Sequence, residues 1–228
     1  MPSKPIAERV PESPSTRKQR MLRTLVCSDR PERAARARGA TLIAGVDEVG
    51  RGALFGPVVA AAVILPPKTT LNGLRDSKQL TALQRERLCA EIQSIALAIS
   101  IAEIDAATID RINIYQATRL AMTAAVSRLC PAPDHLLIDA MRLDHPCPQT
   151  SIIYGDSLSI SIAAASVIAK VHRDNLMCRL DAQFPQYGLA RHKGYGTAQH
   201  RAAILAHGPT PLHRKSFAPV AQSNLFEE

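Results

Sequence analysis

The stretch IAGVDEVGRG, residues 43–52, ends an apolar run on two adjacent acids and passes directly into a glycine loop. Carboxylates without partners are strongly disfavoured at the tip of a buried strand. A divalent cation offsets that cost, and hard cations prefer oxygen ligands. The loop glycines carry no Cβ, so the backbone can approach a ligand closely there. Asp47 and Glu48 therefore predict metal-dependent chemistry on a phosphate.

The composition favours a globular intracellular chain. The 228 residues suffice for one large domain or two small ones, and alanine and aliphatic residues must build the core because Trp is absent. No apolar run approaches the ~20 residues that span a bilayer, and none near the start is typical of a secretion signal. The cysteines form no CxxC pair, which argues against a zinc site or a disulfide framework. We expect no membrane contact, a cytoplasmic location and a monomer.

Most of the net charge of +8 lies in residues 1–40, which hold ten Lys/Arg and four Asp/Glu. This segment is rich in proline and lacks sustained apolar periodicity, so we expect residues 1 to about 38 to be mostly disordered. A solvated tail is the simplest interpretation, with an auxiliary nucleic-acid-binding arm or a transit peptide as alternatives.

A second basic stretch lies near the other end, where no Asp or Glu occurs between Ala182 and Phe226. Such a stretch inside a domain suggests a polyanionic partner, and an ordinary solvated surface is the alternative. Its cations and further donors are Arg191, Lys193, Arg201, Arg214, Lys215, His192, His200, His207 and His213.

The chain between these ends alternates strand-like and helix-like segments. Residues 42–49 and 58–65 are predicted to form a hairpin across the glycine loop. Asn113 can cap a helix that runs to about residue 129. The other predicted elements are a helix at 86–94, a strand within 95–103, strands at 135–139 and 151–154, and a helix at 160–180. This order predicts an α/β fold with a sheet flanked by helices.

Two further acids, Asp139 and Asp156, follow apolar runs in the same way. Ligands of α/β folds tend to bind near strand ends, so the four acids predict a metal site; salt-bridged or turn-capping acids are the alternative. Adjacent strand residues point to opposite faces. Asp47 and Glu48 can therefore share a site only if their strand ends or bulges there, as Gly50 would allow.

The predicted helix at 160–180 presents a polar stripe. Ser166, Lys170 and Arg173 recur on one face at helical spacing. A hydroxyl, an ammonium and a guanidinium together suit phosphate contacts. A solvated helix face explains the same pattern equally well.

A series of short motifs runs through the chain: DEVGRG at 47–52, DSK at 76–78, IDA at 138–140, GDS at 155–157, IAAASVIAKVHRD at 162–174, HKGYGT at 192–197 and HRKSFAP at 213–219. Their order is the one seen in ribonuclease HII, and residues 41–220 resemble that family. The resemblance divides the chain into a basic N-terminal extension at 1–40, a catalytic domain at 41–220 and a flexible C-terminal tail at 221–228.

The resemblance implies a ribonuclease H-like fold, a mixed central sheet flanked by helices with a helical C-terminal part. It implies cleavage of the RNA strand of RNA–DNA hybrids and incision 5′ to single ribonucleotides in duplex DNA. The family's four active-site acids match Asp47, Glu48, Asp139 and Asp156. They would bind two Mg²⁺ or Mn²⁺ ions for hydrolysis that leaves a 3′-hydroxyl and a 5′-phosphate.

The resemblance also implies how RNA is told from DNA, since only RNA carries the 2′-hydroxyl. The family's glycine-arginine-glycine loop senses it through backbone groups, which matches Gly50, Arg51 and Gly52. Tyr195 resembles the tyrosine that packs on the sugar of the next deoxynucleotide. From the sequence alone, a tyrosine between two glycines is more often a packed turn residue, and the resemblance reverses that interpretation. Lys78, in the DSK motif, completes the predicted substrate contacts.

The last residues resemble the peptides that bacterial DNA sliding clamps bind. Gln222, Leu225 and Phe226 give a glutamine, two spacer residues and an apolar pair. A frayed C-terminus with incidental apolar residues is the alternative.

Other function classes account for fewer of these features. A nucleic-acid-binding module without catalysis leaves the carboxylates unused, and a small-molecule phosphohydrolase does not need the basic stretch. Another nuclease or recombinase of the same superfold shares the acids but lacks the Gly-Arg-Gly and Lys-Gly-Tyr-Gly motifs.

Overall fold

The computed structural model describes residues 24–74, 77 and 80–223. Strands and helices alternate within this range as the sequence predicts. In chain order the elements are α1 (Arg30–Arg36), β1 (Ile43–Val49), β2 (Val58–Ile64), α2 (Ala82–Ile95), β3 (Ala98–Ile104), α3 (Ala106–Ile112), α4 (Ile114–Ser127), β4 (His135–Asp139), β5 (Gln149–Ile152), α5 (Gly155–Leu158), α6 (Ile160–Gln183), a 3₁₀ turn (Pro185–Tyr187), α7 (Leu189–His192), α8 (Ala198–His207) and α9 (Ala218–Ser223).

The strands form one mixed sheet in the order β3-β2-β1-β4-β5. The β1–β2 and β2–β3 pairs are antiparallel, which confirms the predicted hairpin. The β1–β4 and β4–β5 pairs are parallel, with Val46 opposite Ile138 and Asp139 opposite Ile152. The carboxyl ends of three strands consequently meet at one edge of the sheet, directly beside Asp47.

Helices cover both faces of the sheet. On one face, a Cβ at Gly45 would lie 2.0 Å from the Ser161 carbonyl carbon, so glycine is required for α6 to lie against β1. On the other face, Ala44 and Val46 pack into a cluster with Met122 of α4. The flanked-sheet architecture is confirmed, and much of its core is alanine, as the absence of Trp requires.

Polar caps set the starts of the main helices. The Asn113 side chain accepts from the Gln116 amide, and Ser159 accepts from the Ile162 amide, so α4 and α6 begin where the sequence predicts. Helix α2 begins before the predicted residue 86 because Thr81 and Gln84 form a capping box.

The predicted boundaries of order near both ends of the chain, and those of one strand, differ from the structure. Residues 30–36 were expected to be disordered but form α1, because Ala35 is fully buried against the sheet; residues 1–23 lie outside the described range. The tail was expected to be flexible from residue 221, yet α9 extends to Ser223 and includes Gln222. Leu225 and Phe226 lie outside the described residues.

Strand β5 ends at Ile152 rather than at residue 154. Asp156 therefore lies in the short helix α5 and not at a strand end. A left-handed residue, Tyr154 (φ +60°), makes the turn between the two elements.

None of the helices within the described part of the chain is long and apolar enough to cross a bilayer.

Candidate active site

Three of the four predicted acids converge at the carboxyl edge of the sheet. Asp47, Glu48 and Asp139 each place an oxygen so that all three lie within 4.8 Å of one another. Asp47 and Asp139 come together because β1 and β4 run parallel in adjacent positions. Asp47 and Asp139 thus meet at the ends of adjacent strands, as the sequence predicts.

Asp47 and Glu48 share the site because β1 ends immediately after them. Asp47 lies on the face of β1 that Gly45 turns toward α6, and the Glu48 side chain starts on the opposite face. Strand β1 ends at Val49, and Gly50 follows with φ +88°. The longer Glu48 side chain thus extends beyond the sheet edge and reaches the same place as Asp47.

Asp156 lies beside this cluster and is buried, with only 6% of its surface exposed. The turn that carries it is tied to the cluster, since the Gly155 amide donates to Asp139 Oδ1 at 2.7 Å. A Cβ at Gly155 would lie 3.3 Å from the same oxygen and 2.6 Å from Ile162 Cδ1, so a larger residue would require these neighbours to shift. The fourth predicted acid therefore belongs to the same edge, although it reaches it from a helix.

Burial and neighbouring negative charges together raise the pKa of Asp47 well above its usual value. Burial is the largest cause, followed by the charges of Glu48, Asp139 and Asp156; a hydrogen bond from Ser166 opposes them. A cation among these oxygens would relieve both effects. The donor set contains only carboxylate oxygens, which fits a hard divalent ion such as Mg²⁺ or Mn²⁺.

A cleft of about 610 Å³ opens next to the acids. It contains most of the predicted substrate contacts together with Ser77 and Arg85, which the sequence analysis did not single out. The residues that line it are Glu48, Val49, Gly50, Arg51, Gly52, Ser77, Arg85, Ser166, Lys170 and Tyr195. Lys78 lies outside the described residues.

The stripe on α6 does not act as one phosphate-binding face. Ser166 Oγ lies 2.9 Å from Ser77 Oγ and also bonds to Asp47. Lys170 lines the cleft while its Nζ donates to Asp174 Oδ1 at 2.7 Å, and burial lowers its pKa. Only Lys170 thus offers the cleft a cation from this stripe.

The prediction that Arg173 contacts substrate is wrong. Its side chain is fully buried, and its guanidinium donates to the carbonyls of Phe55, Pro57 and Lys193 at 2.8–3.1 Å. Burial lowers its pKa. Arg173 instead fastens the loop after β1 to the segment that carries Tyr195.

A second buried guanidinium, that of Arg214, holds the glycine loop. It donates to the Gly56 carbonyl at 3.0 Å and to the Arg51 carbonyl at 2.9 Å, and burial lowers its pKa to about 9. In a planar trans peptide the N–H points opposite to the C=O. Because Arg214 binds the Arg51 carbonyl from inside, the Gly52 amide points away from Arg214, and Gly52 itself lines the cleft.

The Tyr195 segment packs directly against the glycine loop. Ala53 and Tyr195 form an antiparallel bridge, and the Leu54 amide donates to the Gly194 carbonyl at 2.8 Å. Gly194 has φ +80°, and a Cβ there would lie 2.9 Å from the Phe55 carbonyl oxygen. The glycine therefore permits the approach that places Tyr195 beside the loop.

Two histidines expected among surface donors are instead buried behind Tyr195. His200 Nδ1 lies 3.0 Å from the Tyr195 carbonyl and donates to it, while His200 Nε2 lies 3.3 Å from His213 Nε2. The Thr210 amide donates to His213 Nδ1, so His213 Nε2 carries the proton that His200 accepts. Burial lowers the pKa of both imidazoles to about 4, and both are neutral at pH 7.

Comparison with known proteins agrees with this geometry. Residues 44–220 match the family model described as ribonuclease HII. The chain is 56% identical over 218 residues to ribonuclease HII of Koribacter versatilis, covering 96% of this chain and 86% of that protein. It is 58% identical over 193 residues to ribonuclease HII of Geobacillus kaustophilus, covering 85% and 74%.

Solved structures show the same fold at low sequence identity. Ribonuclease H2 of Pyrococcus horikoshii is 23% identical with a TM-score of 0.69, covering 81% of this chain and 98% of that one. The ribonuclease HII in a PCNA complex from Archaeoglobus fulgidus is 23% identical with a TM-score of 0.67, covering 80% and 96%. Bst ribonuclease HIII, in a complex with Mn²⁺, is 21% identical with a TM-score of 0.63, covering 96% and 76%.

A family match over most of the chain, close relatives and a shared fold converge on a metal-dependent endonuclease of the ribonuclease H class, and the chain belongs to the ribonuclease HII family.

Proposed function

We propose that this enzyme hydrolyses the RNA strand of RNA–DNA hybrids and incises duplex DNA on the 5′ side of a single embedded ribonucleotide. The observation that carries the proposal is the position of the acid cluster, which adjoins the cleft lined by Gly50, Arg51, Gly52 and Tyr195. A phosphate next to the acids would place its ribose against the loop.

Two Mg²⁺ or Mn²⁺ ions fit the acid cluster. Asp47, Glu48 and Asp139 would bind them, and Asp156 completes the set of charges. When bound, the ions supply activation of the attacking water and stabilisation of the departing 3′-oxygen. The Mn²⁺ complex of Bst ribonuclease HIII, which has the same fold, supports this assignment.

Recognition of the ribonucleotide falls to the loop and to Tyr195. The Gly52 amide, which points away from Arg214 in a residue that lines the cleft, would donate to a 2′-hydroxyl. Tyr195 would pack its ring on the sugar of the next deoxynucleotide. Arg85 and Lys170, which also line the cleft, would neutralise the phosphates on either side.

The test uses two duplexes that differ in a single 2′-hydroxyl. With Mg²⁺ or Mn²⁺, we expect one incision 5′ to the ribonucleotide, leaving a 3′-hydroxyl and a 5′-phosphate, and no incision of the all-DNA duplex. Equal nicking of both duplexes, or products that end in a 2′,3′-cyclic phosphate, would contradict the proposal.

We also propose a sliding clamp as a partner of the tail, through Gln222, Leu225 and Phe226. The pattern of these residues and the PCNA complex of the Archaeoglobus fulgidus enzyme support it. A peptide of residues 218–228 is titrated against the cognate clamp, with both Leu225 and Phe226 changed to Ala in the control. The native peptide should bind with modest affinity; equal binding of the two peptides would remove the clamp as a partner.

A further inference from the structure

The segment before β1 packs against the turn that carries Asp156. The Ser28 amide donates to the Leu158 carbonyl at 3.1 Å, and the Ile160 amide donates back to the Ser28 carbonyl at 3.2 Å. The family model begins at residue 44, so Ser28 lies before the matched region while Leu158 and Ile160 lie within it. Ser28 and Ser159 thus form an isolated parallel bridge, which holds the segment against the start of α6.

Glu32 of α1 makes the most enclosed of these contacts. Its residue is 1% exposed, and its Oε1 accepts from Ser159 Oγ at 2.6 Å and from the Ser161 amide at 2.9 Å. Both donors lie at the start of α6, a helix of 24 residues, where the helix dipole favours a negative charge. The buried Glu32 carboxylate therefore binds the first turn of α6.

The turn between β5 and α6 needs support from outside. Tyr154 adopts φ +60°, a conformation that residues other than glycine seldom take, and α5 is only four residues long. Asp139 holds the start of this turn through the Gly155 amide, and Glu32 holds its end through Ser159. Asp156 lies between these two attachments.

Two other observations place α1 firmly beside the site. Ala35 is fully buried and packs with Ile43, Leu137 and Ile162. Cys27 lies near both acids: burial and then the charges of Glu32 and Asp156 raise the pKa of its thiol to about 12. The Glu32 contacts thus belong to a packed layer adjoining Asp156.

We propose that Glu32 is a positioning residue that fixes the orientation of Asp156 during cleavage. The proposal rests on the proposed function in one respect, namely that Asp156 takes part in the reaction. Glu32 acts only through the Ser159–Ser161 turn and touches neither substrate nor metal.

The test is a double-mutant cycle in the full-length protein. Single-turnover cleavage of the duplex with one ribonucleotide is measured for wild type, Glu32→Gln, Asp156→Asn and the double variant, with excess enzyme. Asp29→Asn is the matched control, because Asp29 precedes the same helix but pairs with exposed Arg33. Amide exchange over residues 155–161 provides a second readout that does not depend on activity.

We expect Glu32→Gln to slow cleavage about tenfold in the wild-type background through misorientation of Asp156. In the Asp156→Asn background it should change the rate less than about twofold, because the residue on which Glu32 acts is already disabled. Exchange at 155–161 should accelerate while exchange in β1 does not, and Asp29→Asn should resemble wild type.

An equal loss in both backgrounds, or unchanged exchange at 155–161, would overturn the proposal and leave Glu32 as a stabiliser of the fold. If Glu32→Gln does not fold, the same cycle is run with Glu32→Asp, which keeps the charge but shortens its reach. A wild-type enzyme that cleaves while Asp156→Asn has no effect would instead refute the role of Asp156.

Discussion

The acid cluster and the glycine loop that faces it are held in place by different means. Asp47 and Asp139 meet because two adjacent strands run parallel, so the ladder hydrogen bonds position them. The loop at 50–52 and Tyr195 are instead held from behind by buried side-chain donors, namely Arg173 and Arg214 together with the nearby His200. The position of the acid cluster therefore depends on the sheet, whereas the positions of the glycine loop and of Tyr195 depend on a few long side chains.

The first way to test this difference is to remove one acid. Asp139→Asn should reduce cleavage by on the order of 10³-fold, since the charge stabilisation lost is worth several kcal/mol. The amide oxygen can still accept from Gly155, and Asp47 loses a repulsive neighbour, so the metal-free variant should melt no lower than wild type. Single-turnover rates and thermal melts measure both effects.

Asp144→Asn is the control, because Asp144 is exposed and follows the same strand. Near-wild-type cleavage by Asp139→Asn at saturating Mg²⁺ would show that the acid assignment is wrong.

Removing a buried donor should impair recognition instead. Arg214→Met leaves the Gly56 and Arg51 carbonyls without their donor, and a misplacement of about 1 Å in the loop can cost about 10²-fold in rate. We expect kcat/KM for the single ribonucleotide to fall by about that factor, with partial recovery in Arg214→Lys. Arg179→Met on the exposed side of α6 serves as the control. Equal losses of kcat/KM in the two Met variants would show that Arg214 does not act through the loop.

Tyr195→Ala should affect cleavage at a single embedded ribonucleotide and cleavage of a long RNA–DNA hybrid to different extents. Loss of an aromatic ring that packs on nucleic acid is worth about 1–3 kcal/mol, which is about fivefold to 150-fold in rate. The loss should be larger at a lone ribonucleotide than within a long hybrid, because the hybrid offers alternative registers. Tyr115→Ala, which removes an exposed ring on α4, is the comparison variant. Equal losses on both substrates would mean that Tyr195 merely supports the fold.

The smallest expected effect is on stability and comes from the buried imidazoles. The pKa values of His200 and His213 fall from 6.5 to about 4 on folding, so the unfolded chain takes up protons first as the pH drops. Their contribution is complete above about pH 6.5 and is lost between pH 6.5 and 4.

Between pH 7.5 and 5.5, the melting temperature of wild type should therefore fall more than that of His213→Gln, by at least about 2 °C. His207→Gln, which alters an exposed histidine of α8, should follow wild type. Parallel curves for wild type and His213→Gln would show that the imidazole pair is not linked to folding.

The sequence predicts the strands and the acids at their ends well because the signals that mark them are local. The hairpin, the Asn113 cap and the strand ends at Asp47 and Asp139 each follow from a few neighbouring residues. The sharing of one site by Asp47 and Glu48 also follows, since Gly50 marks the end of the strand.

The sequence fails where a long side chain has a distant partner. Arg173 shows helical spacing with Ser166 and Lys170, and nothing in that spacing tells a phosphate contact from a bond to the Phe55 carbonyl, more than a hundred residues away. Arg214 and His213 likewise look like surface cations in an acid-free stretch. Glu32 was assigned to a disordered leader because its partners, Ser159 and Ser161, are remote in sequence.

The most direct test of the central claim is an anomalous difference map from a crystal soaked in Mn²⁺. We expect metal density bounded by the carboxylates of Asp47, Glu48 and Asp139, at coordination distances of about 2 Å, and we expect this density to be lost in crystals of Asp139→Asn. Density elsewhere on the protein, or an empty cluster at saturating Mn²⁺, would contradict it.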